Sequence, residues 1–227
     1  HGYLFHCLGA NCRFEDIYGA ESGTVGAGGS IYAGFGLTVT RTGYGAASTT
    51  DGLLVRNAWM VNCNAQAFSI NSNAGLVMKY GASCNYDATV AGDTTAGATD
   101  YYVNITGGVG LRVIDGYVYR DASLVHNGHG VELKPIFGGG VGMPITGVTI
   151  DGVYAVNVNG GAVGIRGGAV SGNTIRNVVS VSTVAGAYGA AIIICEGAHD
   201  NLIERVLSRG NLRGIFPWLN GEMLGDN

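Results

Sequence analysis

Only three prolines occur among 227 residues, charged side chains make up 12%, and no run of 18 apolar residues is present. Without such a run there is no helical membrane span. Three prolines beside 41 glycines exclude a collagen-like chain, which needs a strict triplet period and abundant proline. The 12 Lys and Arg are scattered singly in a chain of net charge −4, so no electrostatic footprint for nucleic acid exists. Neither nucleic acid nor membrane is therefore expected as a partner. The five cysteines, Cys7, Cys12, Cys63, Cys84 and Cys195, lack paired metal-ligand spacing, which argues against a structural zinc site. Buried free thiols, assembled in a reducing compartment, are the expectation. His1 opens the chain without an initiator Met or a signal peptide, which reads as a piece of a longer protein.

What is present is a repeat. Thr149-Ile150-Asp151-Gly152-Val153, Thr174-Ile175-Arg176-Asn177-Val178 and Leu202-Ile203-Glu204-Arg205-Val206 share one shape, with isoleucines 25 and 28 residues apart. Each phrase is followed by a second apolar run: Ala162 to Ile165, Ala191 to Ile194, and Leu212 to Ile215. Runs of three to five Val and Ile, bounded by Gly and Asn, are strands and not helices. A unit of this size cannot bury its own apolar face and must stack on its neighbours. The pattern predicts an all-β solenoid, a right-handed parallel β-helix with coils of about 25 residues, as a single domain over residues 1–227.

Upstream the same phrases recur at Arg13 to Ile17, at Leu54 to Ala58 with a second strand at Ala67 to Ile70, and at Arg112 to Gly116 with a second strand at Gly130 to Leu133. Residues 76–108 and 135–144 blur the period and are candidate inserted loops, a common place for binding function.

Stacking the phrases predicts an outward line of Glu15, Arg56, Asp115, Asp151, Arg176 and Glu204. Asp151, Arg176 and Glu204 alternate in sign on consecutive coils, which suits a structural charge ladder. Asp115 beside Asp151 places two like charges together, which raises one pKa and forms the kind of carboxylate pair used in glycoside hydrolysis. The next line, Asp16, Asn57, Gly116, Gly152, Asn177 and Arg205, carries the residues a sharp left-handed corner favours.

The densest chemistry lies at Asn127 to Lys134, with His126 beside it. Lys134 stacks next to Arg166, and Glu132 points to the same face. Two chemistries stay open beside a plain surface network. Lys134 or His129 could act as base with Arg166 neutralising a uronate, giving β-elimination, or Glu132 could act as general acid with Asp115 or Asp151 as its partner. A metal held by His126, His129 and Glu132 has a spacing unlike helical zinc motifs, so no metal or other cofactor is implied. Tyr117, Tyr119, Tyr154 and Phe137, with Tyr101 and Tyr102, could stack on sugar rings or pack internally.

These repeats, with Gly130 to Lys134 and Ala162 to Arg166 as second strands, resemble the right-handed parallel β-helix superfamily of pectate-lyase-like proteins and phage tailspikes. The resemblance covers Gly2 to Phe216. It implies binding and cleavage of polysaccharide by hydrolysis or β-elimination, a homotrimer, and a place on a virion tail or outside the cell. A non-catalytic β-helix, acting as adhesin or structural spacer, is the alternative.

Overall fold

The computed structural model describes residues 2–20, 24–25, 31–32, 34–39, 50–63, 66–84, 101–121, 129–135, 137–138, 141–158, 160–183, 189–219 and 222–223. Among them the secondary structure is entirely β, and most of it lies in two parallel sheets. The first has seven strands, Arg13–Ala20, Leu54–Val61, Leu76–Cys84, Arg112–Arg120, Thr149–Val156, Thr174–Val181 and Leu202–Arg209, each parallel to the next. The second has twelve, with a spine of Gly2–Cys7, Gly34–Val39, Gln66–Asn73, Tyr101–Val109, His129–Leu133, Gly161–Arg166, Ala190–Cys195 and Arg213–Leu219. Along the chain these strands alternate between the sheets, so neighbours within a sheet are far apart in sequence. This organisation is compatible with a parallel β-helix.

Of residues 76–108, Leu76–Cys84 and Tyr101–Val109 are strands of the two sheets, and 85–100 fall outside the described residues. Within 135–144, Phe137–Gly138 and Val141–Gly142 pair antiparallel.

The core follows from the strand pattern. In the seven-stranded sheet the inward positions are spaced by three and then two: Val55, Ala58 and Met60; Val77, Tyr80 and Ala82; Ile150, Val153 and Ala155, all buried. They stack rung upon rung, as Val55↔Val77 and Ile150↔Ile175. They meet the row Leu37, Phe68, Val103, Val131, Val163 and Ile192 of the longer sheet, which is also fully buried. Each such Val, Leu, Ile, Met or Phe side chain contributes about 1.5–3 kcal/mol on burial. Cover thins at the last described rungs, where Ile203 and Val206 are only partly buried while Ile175 and Val178 are fully so.

The spacing of three leaves room for one bent residue per rung. It is Asp16, Asn57, Lys79, Asp115, Gly152, Asn177 and Arg205, with φ between 51° and 79°. Asn57 donates to Asp16 Oδ1 at 2.7 Å, and Arg205 Nε to Asn177 Oδ1 at 2.7 Å, which knits successive corners together, while Asn177 donates to Asp151 Oδ1 at 2.6 Å.

Two expectations are corrected by this register. Ile114, not Asp115, lies opposite Asp151, and Asp115 falls level with Gly152. Asp115 and Asp151 are thus not one line of carboxylates. Gly116 is not a corner residue; it occupies the inward line, level with Tyr80 and Val153. The cysteine expectation also changes: Cys7 and Cys12 form a disulfide, whereas Cys63 and Cys195 stand outside any disulfide and are buried as expected.

Candidate functional site

The outward residues of the longer sheet form a polar line. Thr38, Ser69, Asn104, Glu132 and Gly164 stand opposite one another on five successive strands, because Leu37, Phe68, Val103, Val131 and Val163 before them face the core. Beyond Gly164 the line turns apolar at Ile193 and Phe216, which join Ala190 and Cys195 in a small apolar cluster of their own.

Glu132 is the pivot of this face. Its side chain is 1% exposed, and its Oε1 lies 3.5 Å from Arg166 Nε. The same Nε is 3.5 Å from Glu196 Oε1, whose side chain is 53% exposed, and 3.4 Å from Cys195 Sγ. One guanidinium therefore lies between a buried and an exposed carboxylate. Gly164 gives space for this grouping, since a Cβ there would come 3.2 Å from Glu132 Cγ and 3.5 Å from His129 Nδ1. Burial, then Arg166, then Lys134, push the His129 pKa down to about 3. The ring is thus neutral at ordinary pH. Burial pushes the Cys195 thiol up, against the opposing pull of Arg166.

Several hydrogen-bonding atoms of this face are buried without a partner among the described residues: Thr38 Oγ1, Asn104 Oδ1, Gln66 Oε1 and, at the corner next to Gly107, Asn71 Oδ1. Buried polar atoms are ordinarily satisfied, so these four are exceptions to the rule.

The other candidates lie on the seven-stranded sheet. Asp151 accepts from Asn177 and pairs with Arg176 at 2.8 Å. The Asn177 hydrogen bond, opposed by partial burial and aided by Arg176, holds its carboxyl below the usual range. That is the reverse of the raised value a crowded carboxylate pair would show. The alternation Asp151, Arg176, Glu204 on consecutive strands is present.

Tyr117 and Tyr154 stack with ring centroids 5.8 Å apart and planes 8° from parallel, and Trp59 reaches Tyr117 at 6.2 Å across the gap at Gly81. Tyr117 and Tyr154 thus turn ring faces toward each other, while Tyr18, Trp59 and Tyr154 keep 67%, 40% and 44% exposure. Burial and the neighbouring Tyr154 and Tyr119 phenols push the Tyr117 pKa up. Phe137 belongs to a two-residue strand, and His126 lies outside the described residues. Among the described residues no cluster of three His, Cys, Asp or Glu could hold a metal.

The structure thus brings His129, Glu132, Lys134 and Arg166 to one locality on the longer sheet and places Asp115, Asp151, Tyr117, Tyr119 and Tyr154 on strands of the other. Glu196, Asn104, Ser69 and Thr38 escape sequence reasoning. For Glu196 the available signal is its place directly after Cys195, which pairs with Arg166. Comparison with protein-family models, curated proteins and solved structures finds no match.

Proposed function

We propose that the chain is a right-handed parallel β-helix of the tailspike type that binds a polysaccharide on the outer face of its longer sheet. The observation that carries this is the polar line Thr38, Ser69, Asn104 and Glu132 along four paired strands, in which Thr38 Oγ1 and Asn104 Oδ1 have no hydrogen-bond partner among the described residues. Aligned strands repeat about every 4.8 Å, which offers an extended polymer one rung after another. A homotrimeric assembly displayed on a virion tail or outside the cell belongs to the same reading. Cleavage would fall to Glu132 and Glu196, which flank Arg166. The near-complete burial of Glu132 favours the second reading, a binding protein without cleavage.

The test is a panel of polysaccharides, scored for binding by calorimetry and for new reducing ends and unsaturated uronate absorbance. Asn104→Ala should weaken binding on the order of fivefold, the worth of one hydrogen bond, with the fold intact by thermal melting. Binding that survives unchanged in Asn104→Ala and Thr38→Val would remove this face from consideration. Analytical ultracentrifugation decides the oligomer.

A further inference from the structure

We infer that Trp59 is a stacking platform for a sugar ring on the outer face of the seven-stranded sheet. The inference takes its ligand class from the polysaccharide reading above but not its face, since it uses none of the polar line. The lie of the indole carries it. Trp59 stands on an outward row that runs Tyr18, Trp59, Gly81, Tyr117 and Tyr154 on successive strands. A Cβ at Gly81 would be 2.1 Å from Cε3, 2.1 Å from Cζ3 and 2.6 Å from Cδ2 of the indole. Three ring atoms so near one point require the ring to lie flat over it, because an edge-on ring would hold Cδ2 much farther away than the other two. Gly81 is buried although it is an outward position, as a ring laid over it demands. One face of the indole therefore rests on the sheet, and with 40% of the residue exposed the other is open to solvent. Tyr117 and Tyr154 differ, since with planes 8° apart each spends a ring face on the other.

A flat apolar ring bordered by hydrogen-bonding groups is the complement of a sugar, which has an apolar C–H face and a rim of hydroxyls. Such groups line both sides of the row. The exposed corner residues Asn57, Lys79 and Asp115 come two positions before Trp59, Gly81 and Tyr117, and the half-buried Ser83 and Tyr119 come two positions after Gly81 and Tyr117. Two other occupants fit less well. A row four rung spacings long, roughly 19 Å, and one side chain wide is far below the roughly 800 Å² per partner of a stable protein interface. A nucleic-acid strand stacks its bases but needs cations along its backbone, and Arg56 and Arg176 beside the row are held by Glu15 and Asp151.

The experiment titrates the Trp218→Phe chain, in which Trp59 is the single tryptophan, with oligosaccharides of glucose, galactose, N-acetylglucosamine and galacturonate. Indole emission and acrylamide quenching are read directly. Calorimetry on Trp59→Leu and Trp59→Phe, each checked by thermal melting, gives the affinities. The expected result is a bound sugar that shifts the emission to the blue and lowers quenching, with affinity about five- to tenfold weaker in Trp59→Leu and less than about threefold weaker in Trp59→Phe, which keeps a ring face. Leu is apolar but not flat, so the contrast separates stacking from plain burial. Binding that leaves both the emission and the Trp59→Leu affinity unchanged overturns the inference and leaves polysaccharide binding in place. An emission shift that follows protein concentration and not sugar assigns the ring to a second copy and also overturns it. If no oligosaccharide binds, both readings fall. Should Trp59→Leu fail to fold, the emission change decides alone.

Discussion

The ring of Tyr80 fills the space directly over Gly116 on the next strand, where a Cβ would overlap the phenol. Tyr80 is 1% exposed, so this is a core contact in which the large side chain on one rung is matched by an empty position on its neighbour. Its hydroxyl has no hydrogen-bond partner among the described residues, and burial followed by Asp115 raises the phenol well above its usual range. Gly116→Ala should therefore lose about 1–3 kcal/mol by overpacking, measured by urea unfolding. Tyr80→Leu in the Gly116→Ala background should recover much of that loss, and simple additivity of the two changes would refute the pairing.

The same contact explains where the sequence was legible and where it was not. From Val148 onward the inward positions hold Ile150, Val153, Ala155 and then Ile175, Val178, Ser180, with Gly152 and Asn177 marking the corners, and the register is as the repeat predicts. Upstream, Ile114-Asp115-Gly116 imitates Ile150-Asp151-Gly152 letter for letter, and matching by identity slips the register by one. What sets the true register is inward spacing, Val113, then position 116, then Val118. Position 116 looks like a turn because its side chain has been removed to admit Tyr80.

Leu76–Cys84 was hidden for a related reason, since its corner is held by Lys79, a residue type that gives no turn signal. At the candidate site, Glu132, Lys134 and Arg166 were legible as a concentration of charge near the ends of apolar runs. Asn104, Ser69 and Thr38 were not. Each is an ordinary polar residue whose alignment with Glu132 exists only once four strands are paired.

On the outer face of the seven-stranded sheet, a Cβ at Gly81 would overlap the six-membered ring of Trp59. Gly81 thus lets Trp59 lie across one rung and reach Tyr117, which extends the row to Tyr154. Gly81→Val should push the indole outward. In a Trp218→Phe background, which leaves Trp59 as the single tryptophan, the emission should shift to the red and quenching by acrylamide should increase. An unchanged spectrum would mean that the indole does not rest on Gly81.

His129 predicts an acid-labile fold. Its folded pKa of about 3 lies below the ordinary 6.5, so between these values the unfolded chain binds a proton that the folded chain refuses. Stability should fall as pH drops through that window, with a slope approaching about 1.4 kcal/mol per pH unit from this group alone. Above pH 6.5 the contribution is constant. Asp151, held below its usual range, adds loss in the same direction at the acid end, though its partial exposure keeps that share small. Urea unfolding at a series of pH values should show a flatter acid limb in His129→Gln. An acid limb equally steep in the variant would assign the proton uptake elsewhere.

Arg166 separates the two carboxylates by their surroundings. Glu132 is buried and Glu196 is more than half exposed, although each stands 3.5 Å from the same Nε. Removing the cation leaves Glu132 as a buried carboxylate deprived of this guanidinium, so Arg166→Gln should lose about 3 kcal/mol. Glu132→Gln in the same chain should return most of it, because the uncharged amide no longer needs the partner. Glu196→Gln should cost under about 1 kcal/mol, since water screens the exposed pair. The double-mutant cycle therefore predicts a coupling for Arg166 with Glu132 that clearly exceeds its coupling with Glu196. Equal couplings would mean that both pairs are screened alike, and that the polar line is open to water along its whole length.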